Sequence, residues 1–220
     1  HSHVIQPAEL YARGVLGNEP PTIVHFEKAV RKLYGNKADE ILQVYHPATD
    51  ADVEKIATAL AGDRFIALST WRWTDVHSRT GKKPVYRYYY EHPRPAMRPE
   101  MGNATPGLAG GINRSTGNKK PPAPPAKGAV HSAEIEYAMG NLSSNKVYAW
   151  TEEDYKVSRI MQQYFANFII KGDPNGAGLP EWPVANSTSP VTVLKINADT
   201  RAVQEQHEDR YPVLDKITGR

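Results

Sequence analysis

The sequence predicts an α/β protein, mostly helical, whose few strands complete a sheet begun elsewhere. Three observations lead there: amphipathic helical segments over about residues 20–79, one strong strand at 84–90, and a late strand followed by a terminal helix. The strong strand has no evident partner among its sequence neighbours. A lone strand leaves backbone donors and acceptors unpaired, which is costly once buried. Its neighbours in the sheet are therefore expected outside this stretch of polypeptide.

The helical segments are read from caps and period. Thr22 precedes apolar residues at Ile23, Phe26, Val30 and Leu33-Tyr34, a helical spacing closed by Gly35. A second segment, Ala38 to Tyr45, stops at His46-Pro47, because a residue before proline is pushed out of the helical region. Thr49-Asp50 caps a third, Asp52 to Leu60. Asp63 is expected to open a fourth, running to about His77 and carrying Phe65, Ile66, Leu68, Trp71 and Trp73. Trp71 and Trp73 suit core packing better than a substrate pocket at this spacing.

Gly81-Lys82-Lys83-Pro84 ends the helical region. Val85-Tyr86-Arg87-Tyr88-Tyr89-Tyr90 then reads as a core strand, β-branched and aromatic throughout. Residues 92–127 are dense in Pro and Gly and read as a long loop. Loops of that length inside a compact protein are usually functional or mobile. Met97, Met101, Leu108 and Ile112 offer anchors for folding it over a site; an unstructured linker is the alternative. Residues 152–171 form the best helix: Thr151 caps it, Glu152, Glu153 and Asp154 complement its positive end, and Gly172 stops it. Its apolar face is expected to run from Val157 through Met161, Tyr164 and Phe168 to Ile169. Val191 to Ile196 reads as a late strand and Glu208 to Ile217 as a terminal helix, within a C-terminal part spanning 152–220.

Bulk composition narrows the function. The net charge is +3 and the basic residues are scattered among acids, which argues against a nucleic-acid partner. There is no cysteine, so thiol nucleophiles, cysteine metal sites and disulfides are excluded. No apolar run is long enough for a membrane span. Twelve tyrosines and four tryptophans against four phenylalanines give many rings a polar tip, which suits clefts and half-buried surfaces. The beginning, His1-Ser2-His3-Val4, is neither an initiating methionine nor a signal peptide, so the chain is expected to start mid-protein or at a processing scar.

His131 is the leading candidate for chemistry. A proline run, Pro121-Pro122-Ala123-Pro124-Pro125, leads into the small residues Gly128-Ala129-Val130, then the imidazole, then the acidic-apolar stretch Glu134-Ile135-Glu136-Tyr137. A histidine on a loop fixed from both sides suits a general base aimed at one proton. A surface histidine after a proline-rich loop is the plainer alternative.

The segment Gly128 to Leu142, with His131, Glu134 and Glu136 inside it, resembles the catalytic-histidine motif of the type-B carboxylesterases. These are the α/β-hydrolases that include cholinesterases and bacterial para-nitrobenzyl esterases. Gly62-Asp63-Arg64-Phe65, Pro84-Val85-Tyr86-Arg87-Tyr88 and Gly172-Asp173-Pro174-Asn175-Gly176 through Leu179-Pro180-Glu181-Trp182-Pro183 agree in order and character. The chain thus resembles the C-terminal part of a single α/β-hydrolase catalytic domain. The resemblance implies ester hydrolysis by a serine, an acid and a histidine, without metal or organic cofactor. His131 would take the serine's proton and return it to the leaving alcohol.

In such relatives the acid is usually a glutamate ahead of a Leu-Gly pair. Glu9, in Gln6-Pro7-Ala8-Glu9 with Leu16-Gly17 following, falls at that position, although Gln6 stands where the pattern has Asn. A surface glutamate near a frayed terminus is the alternative for Glu9. The resemblance makes Glu134 and Glu136 supporting residues that orient the histidine loop, and Asp63 is read as a helix cap. No G-x-S-x-G elbow occurs: Asn113 precedes Ser115, and Val130 precedes Ser132, where the leading glycine would stand. Ala109-Gly110-Gly111 lacks the context of an oxyanion run. The chain alone is therefore expected to be inactive, its partner being the N-terminal half that carries the serine and its substrate a small carboxylic ester. The competing functions are a non-catalytic binding or adhesion protein of the same fold, and an autonomous helical interaction module. Compartment is open between periplasmic or secreted and cytoplasmic; the missing cysteines argue only against a disulfide-rich secreted animal esterase.

Overall fold

A computed structural model describes residues 8–102, 104–106, 112–114, 128–129, 132–185 and 191–219. The first part is a helical layer. Helix α1 (Ala8–Leu16) packs on α4 (Asp50–Gly62), and α2 (Ile23–Tyr34) and α3 (Ala38–Val44) close around them. The Thr22 hydroxyl accepts from the His25 N–H at the start of α2, and Thr49 forms a reciprocal capping box with Asp52 at the start of α4. Each satisfies backbone donors that a helix start leaves orphaned. Phe26, Val30, Ile41, Val53, Ala57 and Leu60 are fully buried in the shared core. The terminal helix α8 (Arg210–Thr218) inserts Leu214 and Tyr211 into the same core.

Asp63 does not open a new helix. The chain stays helical through it: Leu68 N–H donates to the Asp63 carbonyl, one π turn over Asp63–Ala67, and α5 (Leu68–Thr80) continues from there. Gly62-Asp63 has the look of a stop and a cap, but the carboxylate is drawn aside by the Tyr45 hydroxyl, which donates to Oδ2 at 2.7 Å. A π turn absorbs one extra residue within a helix without breaking it. Trp71 stacks on Tyr211 at 5.9 Å between centroids, whereas Trp73, expected in the core, is 62% exposed.

The second part is built on a sheet. Strand β1 (Tyr88–Tyr90) pairs in parallel with β4 (Thr192–Ile196), which pairs antiparallel with β5 (Arg201–Gln204), in the order β1-β4-β5. The strong strand therefore has a partner inside the chain, contrary to expectation, but one lying far along the sequence. It is also shorter than 84–90. The backbone before it turns to a loop: the Val85 carbonyl accepts from Ala185 N–H, and the Arg87 carbonyl, which still accepts from Leu194 N–H of β4, also accepts from the Trp182 indole.

The stretch after β1 is more ordered than a plain loop. It holds a 3-10 turn at Pro99–Met101, a bridge between Met97 and Tyr148, and a hairpin of β2 (Ala104–Pro106) and β3 (Ile112–Arg114). Leu108 lies outside the described residues, and Ile112, proposed as an anchor, is 38% exposed. Past it come the short helix α6 (Glu134–Ala138) and the long α7 (Glu152–Lys171), packed on each other. Thr151 and Asp154 form the capping box of α7, and Gly172, at φ 73°, ends it in the left-handed conformation that glycine adopts without penalty. Val157, Met161 and Tyr164 bury against the sheet and Trp182, but the last turn outruns the core, leaving Ile169 and Ile170 exposed. Among the described residues no helix is long and apolar enough to cross a membrane.

Candidate active site

The sheet and α7 converge on the turn that precedes α6. His131 lies outside the described residues, but its flanks are placed: Ala129 and Ala133 are buried, and Ser132 has φ 62°. A left-handed serine is strained relative to glycine, and such strain gathers at functional turns. Glu134 is the first residue of α6, half-buried, with one carboxylate oxygen withdrawn from water. Glu136 faces a different set of groups. It accepts from Arg94 Nη2 at 2.8 Å and from the Asn145 amide, which fastens α6 to the segment after β1. Glu9 falls within α1, and its side chain lies outside the described residues.

Beneath this turn lies a polar network that sequence reasoning missed. Asp154, at the head of α7, is almost wholly buried, its side chain 2% exposed. Its Oδ1 accepts from the Tyr137 hydroxyl at 2.6 Å and sits 2.9 Å from His92 Nε2. Its Oδ2 accepts from the Thr151 N–H at 2.7 Å and hydroxyl at 2.6 Å. Burial pushes the Asp154 carboxyl up, but the bonds from His92, Thr151 and Tyr137 outweigh that and hold it at about 2. Burial likewise opposes charge on His92, yet Asp154 and Asn197 raise its pKa above the ordinary value. The Tyr137 hydroxyl is held neutral, by burial first and by the neighbouring Tyr90 and Asp154. The Ser158 hydroxyl adds a bond to the Tyr137 carbonyl at 2.7 Å.

The visible signal for this network was the Thr151-x-x-Asp154 spacing of a capping box. That spacing explains one carboxylate oxygen; the other is free to face inward. Histidine placed just past the strongest strand was the second clue. Neither alone announces a partner, because His92 and Asp154 meet only after the sheet and α7 have packed.

A second buried pair holds the far edge of the sheet. Arg87 Nη2 lies 3.2 Å from Glu205 Oε2, with side chains 9% and 6% exposed, and the Tyr89 hydroxyl donates to the same oxygen. Burial raises the Glu205 carboxyl, and Arg87 opposes the rise. This pair joins the residue just before β1 to the residue just after β5 and so braces the sheet rather than the turn before α6.

A mixed sheet covered by helices, with the strand exit and α7 framing a small-residue turn, is a portion of an α/β-hydrolase fold. The chain belongs to the carboxylesterase family, as a portion of a type-B member: the model described as Carboxylesterase family matches residues 22–213. It is 29% identical to dog carboxylesterase 5A over 171 residues, 76% of this chain and 26% of that protein. To rabbit liver carboxylesterase 1 it is 44% identical over 129 residues, 59% of this chain and 18% of the relative. To human cocaine esterase it is 30% identical over 108 residues, 49% and 15% of the two chains. The matched segment thus spans about a quarter or less of these relatives' length.

Proposed function

We propose that this chain is the C-terminal portion of a serine carboxylesterase that hydrolyses small carboxylic esters. The observation that carries the reading is the family match across residues 22–213 enclosing the Gly128–Leu142 motif with His131 retained. A pure binding surface has no need of that imidazole. His131 serves as general base toward a serine and then as general acid toward the leaving alcohol. Glu9 is the candidate acid that orients the ring, and Glu134 supports the loop. The serine and the oxyanion hole belong to the portion of the protein that precedes this one, since the sequence has no G-x-S-x-G elbow.

The test uses a nitrophenyl acetate assay and a fluorophosphonate probe, which reacts with activated serines. This chain alone should neither turn over the ester nor take the label. Assembled with the serine-bearing portion, the protein should do both, with the label on the other portion. His131→Ala should then abolish turnover by about three orders of magnitude or more, as loss of a triad member does. Fluorophosphonate attached within these 220 residues would contradict the division of roles. Undiminished turnover in the alanine variant would favour the binding-protein alternative.

A further inference from the structure

His92 leaves the end of β1 and turns into the core, its side chain 5% exposed. Each ring nitrogen faces an oxygen: Nε2 is 2.9 Å from Asp154 Oδ1, and Nδ1 is 2.9 Å from Asn197 Oδ1. A neutral imidazole has one donor nitrogen and one acceptor, so the nature of these two oxygens decides the charge of the ring. The Asn197 amide is oriented independently. Ala198 N–H donates to the same Oδ1 at 2.8 Å, which makes that atom the carbonyl oxygen rather than the amino group. Nδ1 must therefore carry a proton.

The other side is equally constrained. The two Asp154 oxygens already accept from the Tyr137 hydroxyl and from the Thr151 N–H and hydroxyl. Thr151 fills Oδ2 with two donors, so any proton of the pair lies between Oδ1 and Nε2, where it rests on the imidazole, the stronger base of the two. Nε2 must then donate as well. Two donor nitrogens make an imidazolium.

We propose that His92 is held as a buried imidazolium paired with Asp154, and that it acts as a positioning residue for α6, the helix that follows His131 in the sequence. One cation joins four segments there: the exit of β1, the exit of β4 through Asn197, the head of α7 through Asp154, and, through Asp154, Tyr137 of α6. The groups facing the ring are consistent with a cation. Glu153 of α7 places Oε1 3.9 Å from Nδ1, and the neutral rings of Tyr137 and Tyr90 stand at 5.6 and 6.5 Å between centroids. Arg94, the nearest cation along the chain, is turned to Glu136. A charge inside this core persists only while its counter-ion and hydrogen bonds stay in place, so it penalises any displacement of α6. The consequence for catalysis rests on His131 being the general base; the charge on His92 does not.

The charge is read by NMR on the full chain with 15N-labelled histidine, the His92 signals being assigned with His92→Gln. At pH 7 both His92 ring nitrogens should be protonated, with a titration midpoint above the ordinary value of about 6.5. The backbone amides of Tyr137 and Ser158 should shift with that same midpoint. In Asp154→Asn the midpoint should fall back to the ordinary value or below it. A neutral ring at pH 7, or amides indifferent to its titration, overturns the proposal on the unaltered chain, whatever the variants do. In the protein assembled with its serine-bearing portion, His92→Gln should lower kcat about tenfold with KM unchanged, the signature of misplaced catalytic geometry. Unchanged kcat overturns the positioning role. An assembled protein with no esterase activity at all would instead sink the hydrolase reading, leaving the NMR result standing.

Discussion

Tyr137 and Asp154 are joined by a buried hydrogen bond of 2.6 Å from the phenol hydroxyl to Oδ1, which fastens α6 to the cap of α7. The ring of Tyr137 also packs on Tyr90 and Trp150, at 5.4 and 5.8 Å between centroids. Tyr137→Phe keeps that packing and deletes one donor to a charged acceptor. The expected loss is roughly 1.5–3 kcal/mol, the usual worth of a hydrogen bond to an ionised group. Urea unfolding at pH 7 measures it, and an unchanged midpoint would mean the bond contributes nothing.

Asp154 also sets the acid limit of this network. Its carboxyl lies at about 2 in the folded chain against 3.8 in the unfolded one, so its contribution to stability is fully present above pH 4. It disappears as pH falls through 2. Asp154→Asn should therefore be much less stable than the parent at pH 6 and nearly equal to it at pH 2. Chemical denaturation across that range tests the convergence. A gap that stays constant would place the effect in packing instead of charge.

What the sequence disclosed and what it withheld divide along the range of the interactions. Thr22, Thr49, Thr151 and Gly172 marked their helix ends correctly because a cap is settled within four residues. The late strand was legible from its β-branched run. The partnership of Tyr88 with Leu194 was not, since a parallel register is chosen by packing between segments distant in sequence. β5 escaped notice because its residues are mostly exposed and carry no alternating pattern. At the site, the Gly128–Leu142 motif was readable as a string, whereas the His92 network draws one residue from each of several segments. No spacing along the chain encodes such a meeting.

Asp63 makes an opposite electrostatic prediction. Burial lifts its carboxyl from 3.8 to about 6, against the pull of the Tyr45 hydroxyl and Arg210. A carboxyl raised on folding stabilises the folded chain below pH 4, and that contribution is lost as pH rises through 6. Asp63→Asn keeps an acceptor for Tyr45 and removes the charge. It should be more stable than the parent at pH 8 by roughly 1–2 kcal/mol, allowing for the group's partial exposure, and no more stable at pH 4. Thermal melts at the two pH values check the crossover. Destabilisation at pH 8 would show that the ionised form is needed to hold Arg210.

Ser132 offers a test of strain at the turn itself. It is the one non-glycine residue with positive φ, 62°, among the described residues, and it directly follows His131. A side chain in the left-handed region costs about 1–2 kcal/mol, which glycine avoids. Glycine gives back part of the gain through its freer unfolded chain, so Ser132→Gly should stabilise by roughly 0.5–1 kcal/mol. Ser132→Val, β-branched in the same conformation, should destabilise by roughly 1–2 kcal/mol. The expected order of melting temperatures is therefore glycine, then serine, then valine. Should valine equal serine, the backbone at this position would have to relax out of the left-handed region. The turn leading into α6 would then be set by the buried network alone.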